Sequence, residues 1–520
     1  MSKIFQSIRA YIIPVKLSEY EVGAYTHLIE KHGGKKCVKQ GESTHIFTIL
    51  KSSTRISRNV ESHQVPVIDI QWIRDCDKKQ QLLPIETYTI ITDRKKLRSS
   101  SSDHDALVPS LSLLTTSTAT TSISSGSNTD ILNRRFKDSP PEDLPFSDES
   151  GSTRRGEGEN VDLAPGFINT KYECLRPTPY EPKYNKKLVS LLLLLERKRQ
   201  IDNELKRSLS YRHAISAIKA YPREIQSSKE AEKIIGVGSK IAEKIKVFLH
   251  TGTIEEADQL RYDEEFRTIS LFNKVFGVGA TTARIWWELG YKTLQEVLDN
   301  AKLSTTIKLG IELLPDFDQM MSQQDVKEII DIVTKEVVSI NSECFVVPVG
   351  GYRRGKTKNG DVDLIISSKN AENMRGFLNK LTQRLIEKDY LKHKLWHSTD
   401  IKNLAHAERP SSVGGRQQFD NFEKCFCAFL QPSTGIHRQV DLICVVNPDE
   451  LATAILGWTG SRQFERAIRD YAKKEKNMSL NSQAIHFEQN GKKNRFVVHS
   501  EKDAFDIIGM PYLEPEFRNC

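Results

Sequence analysis

The stretch from Ser99 to about Pro165 constrains this chain most, because it rules out a single compact core. It runs through SSSS and TTSTATTSISSGS into a mixture of Gly, Pro and charge. Such a composition lacks the apolar surface needed to offset the entropy of ordering, and a disordered linker is expected. At 520 residues, with about 150 residues per domain, three or four folded domains are expected around it. The longest apolar run, Leu191 to Leu195 with Leu188 and Val189 before it, falls well short of the roughly 20 residues that span a bilayer, so no membrane segment is expected. The opening MSKIFQSIRAYIIPV lacks a long apolar region and a small-residue cleavage site, which makes a reducing compartment the expectation. The eight cysteines agree: none forms Cys-x-x-Cys, and Cys425 with Cys427 reads as one buried face of a strand. A net charge of +8, from 76 basic and 68 acidic residues, supports a polyanionic partner only where the basic groups are gathered.

Before the linker, AYIIPV, EVGAYTHLIEKHGG, THIFTIL and VPVIDIQWIRDC alternate strand-like and helix-like patterns, as a small α/β domain would. The Gly33-Gly34 turn after a helix, the strand Thr44 to Leu50, and Trp72 followed by Asp75-Cys76 together resemble the BRCT module. Taken alone, Trp72 is a core residue. At the linker entrance, Arg94-Lys95-Lys96-Leu97-Arg98 has the composition of a nuclear-import signal or of a solvated basic turn. A nuclear location therefore rests on function.

From Lys187 to about Leu298 the pattern is helical, broken at Tyr221-Pro222 and at two Gly-x-Gly turns. IIGVGSKIAEKIKVFL sets Gly236 and Gly238 between helices, and VFGVGATTARIWW repeats this at Gly277 and Gly279. Each turn opens a helix whose first N-H groups and dipole suit a phosphate. With Lys240 beside the first and Arg284 after the second, the pair reads as a sequence-independent grip on a DNA backbone.

Beyond Val333, strand-like CFVVPVG, VDLIIS, CFCAFL and VDLICVV alternate with helices, which predicts an antiparallel or mixed sheet. VVPVGGYRRGKTKNGDVDLIIS is the strongest signal in the chain. Asp361 and Asp363 lie two apart, so on a strand both carboxylates leave the same face, and oxygen ligands suit hard cations. Asp441 in RQVDLICVV is the natural third carboxylate, on a strand expected to lie beside the first.

The Gly-Gly turn, aromatic, Arg-Arg-Gly and Asp-x-Asp resemble the pattern of family X DNA polymerases. The resemblance implies two Mg²⁺ ions, replaceable by Mn²⁺, held by Asp361, Asp363 and Asp441 roughly 3.5 to 4 Å apart. Asp441 would lie nearest the attacking primer hydroxyl, and Arg354 would meet the β and γ phosphates. Gly350, Gly351 and Gly360 would allow close backbone approach to the nucleotide. SYRHAISAIKAYP with IGVGSKIAEKI is similar to the deoxyribose-phosphate lyase region of polymerases beta and lambda, with Lys244 at the Schiff-base position, Tyr211 and Arg207 in support, and Lys240 a neighbouring cation that would keep the amine neutral. Glu256 departs from that pattern, since an acid there would repel a 5′-phosphate.

AILGWTGSRQFERAIRDYAKKEKNMSLNSQAI and GMPYLEPEFRNC resemble polymerase mu and terminal transferase. The resemblance puts Trp458 against the incoming sugar and base, Gly457 at a tolerant 2′ position, and Arg469 on the template strand. Departures are Gly360 in place of a histidine, Gln439 and Gln323 in place of arginines, and a connection of only Gln431 to Gln439 where template-independent relatives carry a long loop.

The expected fold is multidomain α+β. It comprises a BRCT-like domain (1–93), the linker (94–165), a helical lyase-like domain with the first hairpin (166–260), fingers with the second (261–335), a nucleotidyltransferase-type β-sheet palm (336–450) and an α/β thumb (451–520). The implied function is templated gap filling with deoxynucleoside triphosphates at broken DNA ends in the nucleus, as a monomer, with the BRCT-like domain docking end-joining factors. Terminal transfer, RNA tailing and a DNA-end scaffold with an inactive palm are the alternatives.

Overall fold

The computed structural model describes residues 3–91 (apart from 16, 18, 51–55, 57–58 and 61–64), 162–398 and 422–520. The linker expected at 94–165 and its basic entrance lie outside these residues up to 161. Contacts divide the chain into an N-terminal unit and a larger unit, described separately.

In the N-terminal unit, strands β1 (Arg9–Ile12), β2 (Lys35–Lys36), β3 (His45–Thr48), β4 (Val67–Asp69) and β5 (Thr89–Ile91) form one sheet in the order β2-β1-β3-β4-β5. It is parallel except where β5 joins β4. Helices α1 (Glu19–Lys31) and α2 (Gln71–Lys79) complete it. Trp72 is a core residue, as expected: its ring packs with Phe5, Phe47 and Ile68, and its Nε1 donates to the Leu83 carbonyl at 2.9 Å. Gly34 is required by the tight return after α1, since a Cβ there would lie 2.6 Å from Ile29 Cγ2.

The larger unit begins with helices. They are α3 (Lys186–Ile201), α4 (Leu205–Lys219), α5 (Ser228–Lys233), α6 (Ser239–Thr251), α7 (Glu255–Leu260), α8 (Glu264–Lys274), α9 (Ala280–Glu288), α10 (Leu294–Asn300), α11 (Thr305–Glu312), α12 (Leu314–Phe317) and α13 (Gln323–Ile340). The apolar run in α3 is a core stripe, with Leu188, Leu191, Leu192 and Leu195 buried. Among the described residues no helix is long and apolar enough to cross a membrane. Side-chain caps define several starts: Asp263 accepts from the Phe266 amide at 2.6 Å, and Ser322 with Asp325 forms a capping box on α13. α13 runs unbroken to Ile340. The expected boundary at 335/336 falls inside this helix, and Val333, where the sequence changes character, lies on its buried face.

The sheet that follows is mixed, in the order β6-β7-β10-β9-β8, from β6 (Cys344–Pro348), β7 (Val362–Ser368), β8 (Leu391–His397), β9 (Glu423–Leu430) and β10 (His437–Val445). β7 and β10 are parallel and central. Alternation divides the two faces. Val362, Leu364, Ile366, Val440, Leu442 and Cys444 pack with Val326, Ile329 and Val333 of α13 and with α15 (Phe377–Glu387). Cys425 and Cys427 lie in this cluster, as expected for one strand face. On the opposite face Ile365 and Ile443 meet Val349, Leu313 and Trp458. Between β6 and β7 lies the short helix α14 (Gly350–Arg353). The chain closes with α16 (Leu451–Thr459), α17 (Arg462–Lys476), a three-stranded sheet β11 (Met478–Leu480), β12 (Ile485–Gln489), β13 (Lys492–Arg495), and α18 (Glu501–Ile508).

Candidate active site

β7 and β10 run side by side with Asp441 directly opposite Asp363. The third carboxylate is thus on the neighbouring strand, as expected. Both side chains are buried, and Asp361 sits one residue before β7, partly exposed. By strand alternation all three belong to the face of Ile365 and Ile443. Like charges this close and this dry need positive compensation. The donor set is all oxygen, which suits hard divalent ions. Among the described residues no three acidic, imidazole or thiol groups are gathered tightly enough to hold an ion as they stand. The fit to a metal therefore rests on strand register and donor chemistry.

Gly350 is fitted to Asp363. Its φ is +63°, and a Cβ would lie 1.9 Å from Asp363 Oδ2. Gly351 is tight for a different reason, with Lys356 Cδ at 2.9 Å and Asn359 Oδ1 at 3.0 Å from its Cβ position. Gly360 is not crowded: only Met320 Sδ comes within reach, at 3.9 Å. Nothing in the protein at that point demands a glycine.

Several residues expected to meet ligands are held by protein partners. Arg354 is 2% exposed, donating through Nη1 to the Thr459 carbonyl at 2.5 Å and through Nε to Asn519 Oδ1 at 3.0 Å. Arg353 donates to Thr459 Oγ1 at 2.6 Å and pairs with Glu501 at 2.5 Å. Trp458 is 2% exposed and packs on the carboxylate face of the sheet. Gly457 does not leave open space: a Cβ there would meet Ser482 Oγ at 2.6 Å. Arg469 donates to Glu465 at 3.1 Å and to Ser482 Oγ at 3.4 Å. Burial pushes the Glu465 carboxyl up to about 7 despite Arg469, Arg518 and Arg354 nearby. Gln323 donates to the Lys356 carbonyl, and Gln439 is buried in β10 opposite Ala428.

The two hairpins differ. Gly236 turns at φ +108°, Gly238 starts α6 from an exposed position, and Lys240 is exposed beside it. At the second, Gly277 turns at φ +85° and Gly279 starts α9, but Gly279 is buried. α11 seats there, with Ile307 Cγ1 3.3 Å from the Cβ position of Gly277. Arg284 does not offer its charge to a strand. It bonds the Ile201 carbonyl at 3.1 Å, Asp202 at 2.7 Å and Glu265 at 2.9 Å, tying α9 to α3 and α8.

Lys244 lies in an ion pair with Glu256, which also accepts from Arg199 Nη2 at 2.6 Å. The ion-pair partner of the amine is thus a carboxylate, the residue that departs from the lyase pattern. Tyr211 is buried against this group, and burial raises its phenol. Arg207 points elsewhere, exposed and paired with Glu204 at 2.6 Å.

The β9–β10 connection is a short turn, as expected from Gln431 to Gln439. The long connection lies one strand pair earlier: β8 ends at His397 and β9 starts at Glu423, leaving 25 residues between paired antiparallel strands. Residues 399–421 of this connection lie outside the described residues. The long tract of polar residues from Ser398 was visible in the sequence, but its place in the sheet was not.

Comparison with known proteins matches the chain in successive segments. Residues 3–89 match the BRCT domain family and 183–254 a helix-hairpin-helix domain. Residues 270–318 match the fingers domain of DNA polymerase lambda, 320–447 the DNA polymerase beta palm, and 454–519 the DNA polymerase beta thumb. The DNA polymerase type-X family protein pol4 of Schizosaccharomyces pombe is 31% identical over 361 residues, covering 67% of each chain. DNA-directed DNA/RNA polymerase mu of Homo sapiens is 30% identical over 69% of this chain and 73% of its own. DNA polymerase lambda of Rattus norvegicus is 27% identical over 99% of this chain and 93% of its own. On this identity and coverage the chain belongs to the family X DNA polymerases and is a DNA-directed DNA polymerase of DNA repair.

Proposed function

We propose that the chain fills short gaps at broken DNA ends by templated nucleotidyl transfer, with Asp361, Asp363 and Asp441 holding two Mg²⁺ ions that Mn²⁺ replaces. The observation that carries the reading is the register of Asp363 with Asp441 beside a Gly350 that has no Cβ. Bound there, the ions would lower the barrier by stabilising charge on the primer oxygen and the leaving pyrophosphate. The residues supply the rest. Asp441 accepts the proton of the primer 3′-hydroxyl, Asp361 and Asp363 hold the nucleotide end of the site, and Gly350 and Gly351 let the backbone approach phosphate. Gly236, Gly238 and Lys240 grip the downstream strand, Gly277 and Gly279 the primer strand, and Arg469 the template once released from Glu465. The BRCT-like domain docks end-joining factors, in the nucleus. Asp363→Ala should abolish synthesis and leave DNA binding intact; equal synthesis by variant and parent would reject the site.

The 25-residue length of the β8–β9 connection favours a second reading, template-independent terminal transfer, whose family members carry a long palm loop. Extension of gapped, template-primer and single-stranded substrates separates the two. The same assay with ribonucleotides tests weak sugar discrimination, which now turns on the Gly457–Ser482 contact and is in keeping with the DNA/RNA polymerase name of the human relative. Lyase action at Lys244 is tested by borohydride trapping on a 5′-deoxyribose-phosphate gap, which should label the parent and not Lys244→Ala.

A further inference from the structure

The segment from Phe517 to Cys520 supplies none of the groups assigned above to metal or DNA, yet it touches the helical side, the Gly350–Gly351 turn's Arg354 and the closing helices. Its backbone belongs to the helical side. The Thr178 amide donates to the Phe517 carbonyl at 2.8 Å, the Asn519 amide donates to the Thr178 carbonyl at 3.1 Å, and Lys219 Nζ of α4 donates to the Asn519 carbonyl at 2.7 Å. The side chain of Asn519 belongs to the nucleotide turn. Its Oδ1 accepts from Arg354 Nε at 3.0 Å, and its Nδ2 donates to the Arg354 carbonyl at 3.3 Å and the Glu516 carbonyl at 2.9 Å.

The neighbouring Arg518 ties the segment to the closing helices. It is fully buried, ringed by Phe464, Phe505 and Tyr512, and donates to Glu501 at 2.7 Å and to the Leu513 carbonyl at 2.8 Å. Its carbonyl accepts from the Ser461 amide at the start of α17, at 3.0 Å. Glu501 in turn holds Arg353. Hydrogen bonds of this length weaken steeply once donor and acceptor are displaced or misaligned. A shift of Thr178 or Lys219 therefore moves Asn519, and a shift of Asn519 moves the Arg354 guanidinium behind the Gly350–Gly351 turn.

We propose that Asn519 is a positioning residue that couples occupation of the helical domain to the nucleotide turn, so that a downstream DNA end raises affinity for the incoming nucleotide. The inference rests on the reading that the first hairpin region holds the downstream strand of a gap. Coupling of this kind is a differential binding free energy, and it is read as a ratio of affinities rather than as an absolute rate.

The test measures KM and kcat for one deoxynucleoside triphosphate on a one-nucleotide gap whose downstream strand carries either a 5′-phosphate or a 5′-hydroxyl. The parent should show KM lowered about fivefold or more by the phosphate, within the usual range of coupling. In Asn519→Ala the ratio should fall to about one, whatever the variant's basal KM. Asn519→Asp, which keeps an acceptor for Arg354 Nε, should retain part of it. Lys219→Met, which removes the only side-chain bond of the three that join the helical side to the segment, should lower the ratio and serves if Asn519→Ala does not fold. A parent-like ratio in Asn519→Ala or Lys219→Met would overturn the coupling alone. A uniform loss of kcat with the ratio kept would reduce Asn519 to a structural residue and overturn it too. A parent indifferent to the 5′-phosphate would overturn the downstream-strand reading and the coupling with it.

Discussion

Gly350→Ala is the sharpest probe of the site, because the damage it does is written in two coordinates. At φ +63° any side chain sits in the left-handed region, at a cost of about 1–2 kcal/mol. The added Cβ would also lie 1.9 Å from Asp363 Oδ2, whereas real contacts begin near 3.0 Å. The carboxylate or the turn must then retreat by about 1 Å, and misplacement on that scale costs about 10²-fold in rate. Single-nucleotide extension should therefore show kcat down about 10²-fold or more. Fluorescence anisotropy should show DNA affinity near that of the parent, and the melting temperature should drop only as the backbone term requires. Gly351→Ala is the internal control. Its φ is not in the left-handed region, and the closest clash is with the flexible end of Lys356 at 2.9 Å. It should lose far less activity. A Gly350→Ala enzyme with kcat within about threefold of the parent, or a Gly351→Ala enzyme at least as damaged, would refute the link between this glycine and the carboxylate.

Glu256→Gln removes the carboxylate that holds Lys244 and an acid that would repel a 5′-phosphate. Borohydride-trapped product should rise several-fold, and an unchanged or lower yield would count against Glu256 as a brake. Gly457→Ala forces a Cβ to within 2.6 Å of Ser482 Oγ and should destabilise by about 1–3 kcal/mol. Adding Ser482→Gly should restore most of the loss in a thermal melt, and no rescue would mean the clash is relieved elsewhere. Glu465 has its carboxyl raised from 4.5 to about 7, chiefly by burial. Between those values the folded state keeps a proton that the unfolded chain has released, so its contribution is present below about pH 4.5 and lost as pH rises through about 7. The loss is on the order of 3 kcal/mol, with the opposing pull of Arg469 already included in the shift. Glu465→Gln should flatten the fall in melting temperature between pH 5 and pH 8, and an unchanged slope would reject Glu465 as its source.

What the sequence determined by itself is local. Asp361 and Asp363 two apart in an apolar run, glycines before them, two Gly-x-Gly turns opening helices, and Trp72 in an amphipathic helix all follow from spacing along one segment, and the structure places them accordingly. Asp441 was reachable as well, because its strand is apolar on both sides of the acid and had few other places to pair. The tertiary structure alone decided who meets whom. Periodicity reports that a face is apolar or charged, not what covers it, since the covering group comes from a distant segment chosen by packing. Hence Trp458 turned out to be core, Gly457 answers to Ser482, Arg284 clamps helices, Lys244 is held by Glu256, and Arg354 is closed behind its turn by Thr459 and Asn519. In the same way the long connection of the palm sheet belongs to β8 and β9, because strand order is set by hydrogen-bond pairing between segments and cannot be read from either strand alone.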